Sequence, residues 1–378
     1  MKYLRTLSTR SLVLAVVAVV AIAVGGAAIA VAASRSSGQT PPKKPLAQAI
    51  HDSLAAPDAS GISARIRFTN RLFPSGSLLG ANLSALMSGA SGRLWLTNDG
   101  HGRIELQSDA GDAQIMWNDS ELTVYDASSN TVYKVKLPAS SSTSSTDNGQ
   151  PPSITAINDF LTKIAGQADV SAAKPTDVAG RPAYSVKISP KHDGGLLGYA
   201  ELAWDAQHSV PLRVGIYAQG HSSPALELTA TNVSYGDVPA GDVTITPPAD
   251  AKVVNLDAQG KSDQPGSPAT KPDFTVVAPD TLVGLPRQDQ RTLGNGGQLV
   301  VYGQGLGAIV VVERKADTAT QGGMLSALPS VTLENGVTAH ELATQLGTAL
   351  QWTRNGVSFV LFGSLPPAAA EAAARALQ

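Results

Sequence analysis

Few side chains in this 378-residue sequence stand at spacings that support chemistry. His340-Glu341 opens like the zinc-protease pattern H-E-x-x-H, in which two histidines one helical turn apart hold the metal. The fifth position is Thr344, so the second ligand is missing. Gly303-Gln304-Gly305-Leu306-Gly307 follows an apolar run and invites comparison with a phosphate-cradling loop. No Lys-Ser/Thr pair follows, and the next segment reads as a strand, so a glycine hairpin is expected. Asp177, Asp205 and Asp237 each stand beside a turn, where a carboxylate ordinarily accepts local N–H groups. The 6 histidines show no metal-ligand spacing, and His51 reads as a solvated side chain. No G-x-S-x-G elbow occurs. The chain has 0 cysteines, which excludes disulfides, thiolate metal sites, cysteine nucleophiles and an acylated N-terminal cysteine. These residues point to a protein that is not an enzyme, with no metal and no cofactor.

The bulk numbers narrow the class. Formal net charge is -2 and charged residues are 15%, so no basic footprint for nucleic acid is present. Together, 36 glycines, 24 prolines and 5% aromatics suit a turn-rich β protein, and the length allows two domains with cores. Lys2, Arg5 and Arg10 precede an uncharged run, 11–33, close to the ~20 residues needed to cross a bilayer. The positive-inside rule then puts the N-terminus in the cytoplasm and everything after residue 34 outside. A cleaved signal peptide is the rival reading, because Val31-Ala32-Ala33 suits a signal peptidase. The run exceeds the roughly 7–15 apolar residues of a signal core, which favours a retained anchor. The expected location is the cell membrane, single-pass, with the bulk extracytoplasmic, or secretion if the segment is cleaved.

The elements that must position any site follow in order. Residues 1–33 are the stub and anchor, and 34–44 are a polar tether. Over 45–56, Leu46, Ile50 and Leu54 recur every fourth residue, which predicts a short helix. Residues 62–72 alternate as a first strand. The insertion 74–90 carries Leu78, Leu79, Leu83, Leu86 and Met87 with almost no charge, and reads either as a plug for one end of a sheet or as a flexible lid over an apolar cavity. From 92 to 138, five short alternating runs are separated by Asn98-Asp99-Gly100, Asp109-Ala110-Gly111-Asp112, Asn118-Asp119-Ser120 and Ser128-Ser129-Asn130. That is an antiparallel meander with one apolar face. A low-complexity spacer, 139–152, leads to an amphipathic helix over 153–166, with Ile154, Ile157, Phe160, Leu161 and Ile164 on one stripe. Such a helix is expected to cover the concave side of the sheet. Strands resume at 183–189, 199–204, 212–218 and 226–235, giving about ten or eleven in all.

The run Val178-Ala179-Gly180-Arg181-Pro182-Ala183-Tyr184-Ser185-Val186 is followed by Ala200-Glu201-Leu202-Ala203-Trp204-Asp205 and then by Ser209-Val210-Pro211-Leu212-Arg213. Tyr235-Gly236-Asp237-Val238-Pro239 comes last, and Trp117-Asn118-Asp119-Ser120-Glu121-Leu122 stands earlier. In this order the pieces, spread over 45–254, resemble the LolA/LolB/RseB-like lipoprotein-carrier superfamily in its actinobacterial, membrane-anchored form. The resemblance implies an incomplete antiparallel β-barrel wrapped on helices, with an apolar cavity for a lipid or lipoprotein acyl chain. On that implication, strand parity selects Ile66, Phe68, Leu94, Leu96, Ile104, Leu106, Ile115 and Trp117 as the lining. The anchor and the missing acylated cysteine depart from the soluble carriers and favour a tethered handler or sensor over a shuttle.

Residues 255–272 form a second linker, and 273–378 a small α+β unit. Leu299–Tyr302 and Ala308–Glu313 are expected to pair as a hairpin, as are 349–353 and 357–362 about Asn355-Gly356. Residues 338–346 are expected to be helical, as are 366–377; the ending resembles a small accessory domain of anti-sigma-type and secreted proteins. The full expectation is an α+β chain that binds a lipid or lipoprotein acyl moiety outside the cytoplasm, anchored to the cell membrane. The alternative is an RseB-like regulatory module that senses envelope state through a membrane or envelope protein.

Overall fold

A computed structural model describes residues 40–56, 59–72, 85–109, 111–137, 152–191, 194–208, 210–255, 271–293, 296–316, 328–333 and 336–377. The first sheet begins with β1 (Gly61–Asn70) and continues through the meander β2 (Ala90–Thr97), β3 (Gly102–Ser108), β4 (Gly111–Trp117), β5 (Glu121–Asp126) and β6 (Thr131–Lys136). Local turn chemistry explains the meander. Gly100 takes φ +84° and Asn130 φ +43°, Asn118 Oδ1 accepts the N–H groups of Ser120 and Glu121, and Asp126 Oδ1 accepts that of Ser128. The second half comprises β7 (Ala168–Val170), β8 (Lys174–Val178), β9 (Arg181–Pro190), β10 (Leu197–Asp205), β11 (Pro211–Ala218) and β12 (Leu226–Tyr235). A last strand, β13 (Lys252–Asn255), returns parallel to β6.

Together these form one 13-stranded sheet, ordered β13-β6-β5-β4-β3-β2-β1-β12-β11-β10-β9-β7, with β8 also paired to β9. The first strand therefore lies between β2 and β12 and joins the two halves. The ends do not pair with each other, so the sheet is an incomplete barrel. The sequence expectation of about ten or eleven strands is too low. The missed strands are short and weakly patterned: β7 has three residues and β8 carries Pro175.

Helix α1 (Leu46–Leu54) lays Leu46, Ala49 and Ile50 against Tyr184, Val186 and Trp204 of β9 and β10. A single turn, α2 (Ala85–Ser88), packs Ala85 and Leu86 on the same sheet. Helix α3 (Ile154–Ile164) is capped by Ser153, whose Oγ accepts the Ala156 N–H, and it packs on α1 and β7. It buries Ile157 and half-buries Leu161 and Ile164, and none of its side chains belongs to the apolar cluster on β1 to β4 that its stripe was expected to cover. His51 is not simply solvated: its Nδ1 lies 2.9 Å from Pro152 O and ties α1 to the start of α3.

A second, 8-stranded sheet holds β14 (Thr281–Leu282), β15 (Leu285–Thr292), β16 (Gln298–Tyr302), β17 (Ile309–Lys315), β18 (Ser330–Thr332), β19 (Thr338–Thr344), β20 (Gly347–Arg354) and β21 (Val357–Gly363). Both expected hairpins form: β16 pairs with β17, and β20 with β21 across Asn355-Gly356 at φ +49° and +75°. The expected helix over 338–346 is a strand instead. Ala339 stands opposite Trp352, Glu341 opposite Leu350, and pairing on both sides overrides the helix-favouring Ala, Glu and Leu of this stretch. Helix α4 (Pro367–Ala376) closes the core with Ala370, Ala373 and Ala374. Trp352 stacks on Phe359 at 5.1 Å beneath it. The two sheets touch where the Leu196 N–H donates to Ser364 Oγ at 2.9 Å, and Gly195 at φ +57° leaves room for Ser364.

Glu313 points into this second core and is fully buried. Its Oε2 accepts the Val277 N–H at 2.9 Å, while Oε1 has no partner. Burial pushes its carboxyl up to about 7, against the smaller opposing effect of the Val277 amide. The ionised form is therefore costlier in the folded state than in the unfolded one. Stability is expected to fall by about 3 kcal/mol as pH rises from roughly 4.5 to 7 and beyond. Glu313→Gln is expected to remove that slope and to be the more stable protein above pH 7, as urea denaturation across pH 4–8.5 would measure.

Candidate functional site

Cross-strand register sorts the first sheet's side chains into two faces, since directly opposed residues project to the same side. On one face Ala64 stands opposite Leu94, Leu94 opposite Ile104, Ile104 opposite Ile115, and Ile115 opposite Val124. A parallel row runs Ile66, Gly92, Leu106, Ala113. In the other direction Phe68 leads through Leu228, Val214 and Leu202 to Val186. The result is an apolar face from β5 to β9, with Asp126 standing opposite Ala113 at its β5 margin. The opposite face carries Arg65, Arg67, Arg93, Glu105, Gln107 and Thr229, with Arg65 directly across from Arg93.

Ile66, Ile104, Leu106, Ala85 and Ala113 are buried in one cluster, and Phe68, Leu94, Ile115, Trp117, Leu86 and Leu228 pack on it while partly exposed. The structure thus brings together Ile66, Phe68, Leu94, Ile104, Leu106, Ile115 and Trp117 of the sequence-selected lining. Leu96 stands on the same face, opposite Ile62 and Gly102, but outside the cluster. Trp117 is fixed by two features. Its Nε1 donates to Gly100 O at 3.0 Å, and its ring fills the space over Gly102, where a Cβ would lie 2.0 Å from the indole.

Of the lid candidates, Leu86 packs on the cluster and Met87 falls in α2, whereas Leu78, Leu79 and Leu83 lie outside the described residues. Asn70 positions α2, its Nδ2 donating to Leu86 O at 2.8 Å. Sequence parity missed Leu228, Val214, Leu202 and Val186, which extend the face across the second half of the sheet. Their alternation was visible, but nothing in it said that β12 lies beside β1. What these apolar side chains can supply is burial, about 0.8 kcal/mol for each methylene removed from water. A shallow depression lined by Asp119, Ser120, Glu121, Lys136 and Leu137 lies at the end of the meander, apart from this face.

The polar candidates resolve into structural roles. His340 and Glu341 sit on a strand, with His340 Nδ1 3.1 Å from Leu328 O, so neither has the helical spacing of a zinc pair. Gly303 to Gly307 form the β16–β17 connection, with φ +73° at Gly303 and +65° at Gly305. Asp177 Oδ1 accepts the Gly180 N–H at 3.1 Å, as a turn carboxylate does. Asp205 does more than that. It is fully buried, and Oδ2 accepts from Arg181 Nε at 2.9 Å and from Tyr235 Oη at 2.7 Å. Oδ1 accepts the Gln207 N–H at 2.8 Å, and His208 stacks on Tyr235 at 4.0 Å. The group locks β9, β10 and β12 together.

No protein-family model matches the sequence, and no curated protein does. Solved structures do. The chain is similar to one in the complex structure of Pseudomonas aeruginosa MucA/MucB, at 16% identity and TM-score 0.42, over 87% of this chain and 96% of that one. It is similar to a putative outer membrane lipoprotein-sorting protein domain from Vibrio parahaemolyticus, at 11% identity and TM-score 0.24, over 53% and 96%. It is also similar to a LolA superfamily protein from Nitrosomonas europaea, at 9% identity and TM-score 0.23, over 53% and 98%.

Burial alone would push the Asp205 carboxyl up, but the His208, Arg181, Gln207 amide and Tyr235 contacts outweigh it and hold it at about 2. A depressed folded value stabilises above the unfolded value of about 3.9 and is lost as pH falls toward 2, a swing of about 2–3 kcal/mol. Asp205→Asn is expected to cost about 3 kcal/mol at pH 7, the low end for a broken buried pair because Arg181 keeps some solvent contact. It should also flatten the acid limb of the stability curve, read by thermal unfolding between pH 2 and 7.

Proposed function

We propose that this chain is an extracytoplasmic binding protein, rather than an enzyme, that holds a lipid or lipoprotein acyl moiety on the apolar face of its open sheet. The observation that carries this reading is the state of that face. Phe68, Leu94, Ile115 and Trp117 are packed by sheet neighbours and α2, yet they remain partly exposed among the described residues. An acyl chain laid along the rows would bury what the fold leaves wet. The uncharged run 11–33 would hold the domain at the membrane, with secretion as the outcome if that segment is cleaved.

The open form of the face also favours a second reading. A surface, unlike an enclosed pocket, admits an apolar protein segment, so a regulatory module that docks on a membrane or envelope partner uses the same residues.

Lipid extraction and native mass spectrometry on the fragment from Ser34 onward separate the two. A lipid of defined mass is expected to co-purify. Leu94→Asp and Ile104→Asp should each reduce its occupancy at least about tenfold, since either sets an unpaired carboxylate on the face. Circular dichroism must show both variants folded. A fragment that purifies without lipid and gains none from vesicles would sink the acyl-binding reading and leave the docking one.

A further inference from the structure

The chain enters the second unit through a strap, residues 273–280, that lies on its core without belonging to either sheet. Phe274, Val277 and Ala278 of the strap pack on the buried cluster. Side chains of the sheet hold it in place. Lys315 Nζ donates to Asp273 Oδ2 at 2.6 Å, Arg287 Nη1 to Ala278 O, and Arg287 Nη2 to Asp280 Oδ1 at 2.8 Å. Asp273, Asp280 and Lys315 are largely exposed, so the two ion pairs bind the strap weakly. The remaining contact differs in kind. The Val277 N–H donates to Glu313 Oε2 at 2.9 Å, and Glu313 is fully buried.

Glu313 stands in β17 between Gln298 of β16 and Phe359 of β21, and Gln298 is occupied by Thr292. Register places the other charged and titratable groups on the same side of the sheet. From β15 comes Arg287, already engaged with the strap, and from β17 itself Lys315, paired with Asp273. From β16 comes Tyr302, whose phenol burial pushes up to about 12, so it stays neutral. Arg354 lies on β20 and Glu341 on β19, the latter raised by burial and then by Glu371. Helix α4 adds the Glu371–Arg375 pair. Among the described residues none of these bonds Glu313, and its Oε1 has no partner. An ionised Glu313 in the closed core therefore has one amide for support, where a buried carboxylate needs several.

We propose that residues 273–280 are a pH-gated strap, seated on the second core while Glu313 is neutral and released when Glu313 ionises, so that water reaches the carboxylate. The strap is the part that yields, because β17 is laddered on both sides by β16 and β21 and the strap is in no ladder. The Arg287 N–H, donating to Asp280 O at 2.8 Å, marks the end that stays. Released, 273–279 adds roughly 23 Å of extended chain to the connection from the first unit. It also uncovers the side of the core on which Phe274 and Val277 sit. The direction follows from linkage. Burial raises the Glu313 carboxyl from 4.5 to about 7 in the closed form, and an open strap returns it to water. The ratio of open to closed strap then rises about tenfold per pH unit from roughly 4.5 to 7 and levels off above that. This device is independent of what the first sheet binds.

Hydrogen exchange of the full chain in detergent, read by mass spectrometry with residue-level fragmentation and divided by the intrinsic rate at each pH, tests this. Protection of the Val277 amide is expected to fall at least about 30-fold between pH 5 and 8. Amides of the β20–β21 hairpin should change far less. In Glu313→Gln the Val277 protection should stay level across the range, and in Glu341→Gln it should fall as in the natural chain. Level Val277 protection in the natural chain would overturn the proposal. An equal fall at Val277 and in β20–β21 would mean that the whole unit opens, which also overturns it. A fall that persists in Glu313→Gln, or one that vanishes in Glu341→Gln, would assign the titration to another group and remove Glu313 as the gate. The natural chain and Glu341→Gln decide the matter even where Glu313→Gln does not fold.

Discussion

An open sheet 13 strands wide has to dispose of a whole apolar face, and most features of the first unit answer that requirement. A closed barrel hides its inner side by wrapping it on itself, and a sandwich hides it against a second sheet. Here neither solution is used. The edges β13 and β7 stay apart, and the rows from Val124 to Val186 must be covered piecemeal by α1, α2 and local side-chain packing.

The second sheet shows what complete cover looks like in the same chain. Val300, Val311, Leu350 and Leu361 are all fully buried beneath α4, whose alanines let the helix sit close. The corresponding positions of the first sheet divide by distance from their helices. Tyr184, Val186 and Trp204, under α1, are buried, whereas Leu94, Ile115 and Trp117 are not. What shapes the exposed part is backbone. A Cβ on Gly92 would lie 1.8 Å from Glu105 O, so β2 and β3 approach there in a way only glycine permits. Gly102 then gives the Trp117 ring its place. At the other end Asp205 fixes β9, β10 and β12 through four hydrogen-bonded neighbours, beside the buried Val178, Ala183, Ala203 and Leu212.

Much of this was legible in the sequence because the meander obeys two local rules at once. Apolar residues alternate from Leu94 to Val135, and each alternation ends in Asn, Asp, Ser or Gly. Strand parity then identified most of the cluster without any knowledge of topology. What stayed hidden depends on distant pairing. That β1 lies between β2 and β12 cannot be read from either segment, so Leu228 and Val186 were not joined to Ile66. Strands β7, β8 and β13 are short and carry no clean period. The stretch from Thr338 to Thr344 has the composition of a helix and becomes a strand because β18 and β20 flank it. Helix α3 was read correctly as amphipathic, but amphipathicity alone does not name the apolar partner.

That last point bears on the apolar face of the first unit. Half-wet apolar side chains gain the folded chain little, since the same groups covered as in the second sheet would add stability. A chain that can bury Val300 and Leu361 completely, yet leaves Phe68 and Ile115 partly open and Phe160 largely so, is not short of the means to cover them. The sheet face is long and its rows are apolar from β4 to β9, which suits an extended apolar guest.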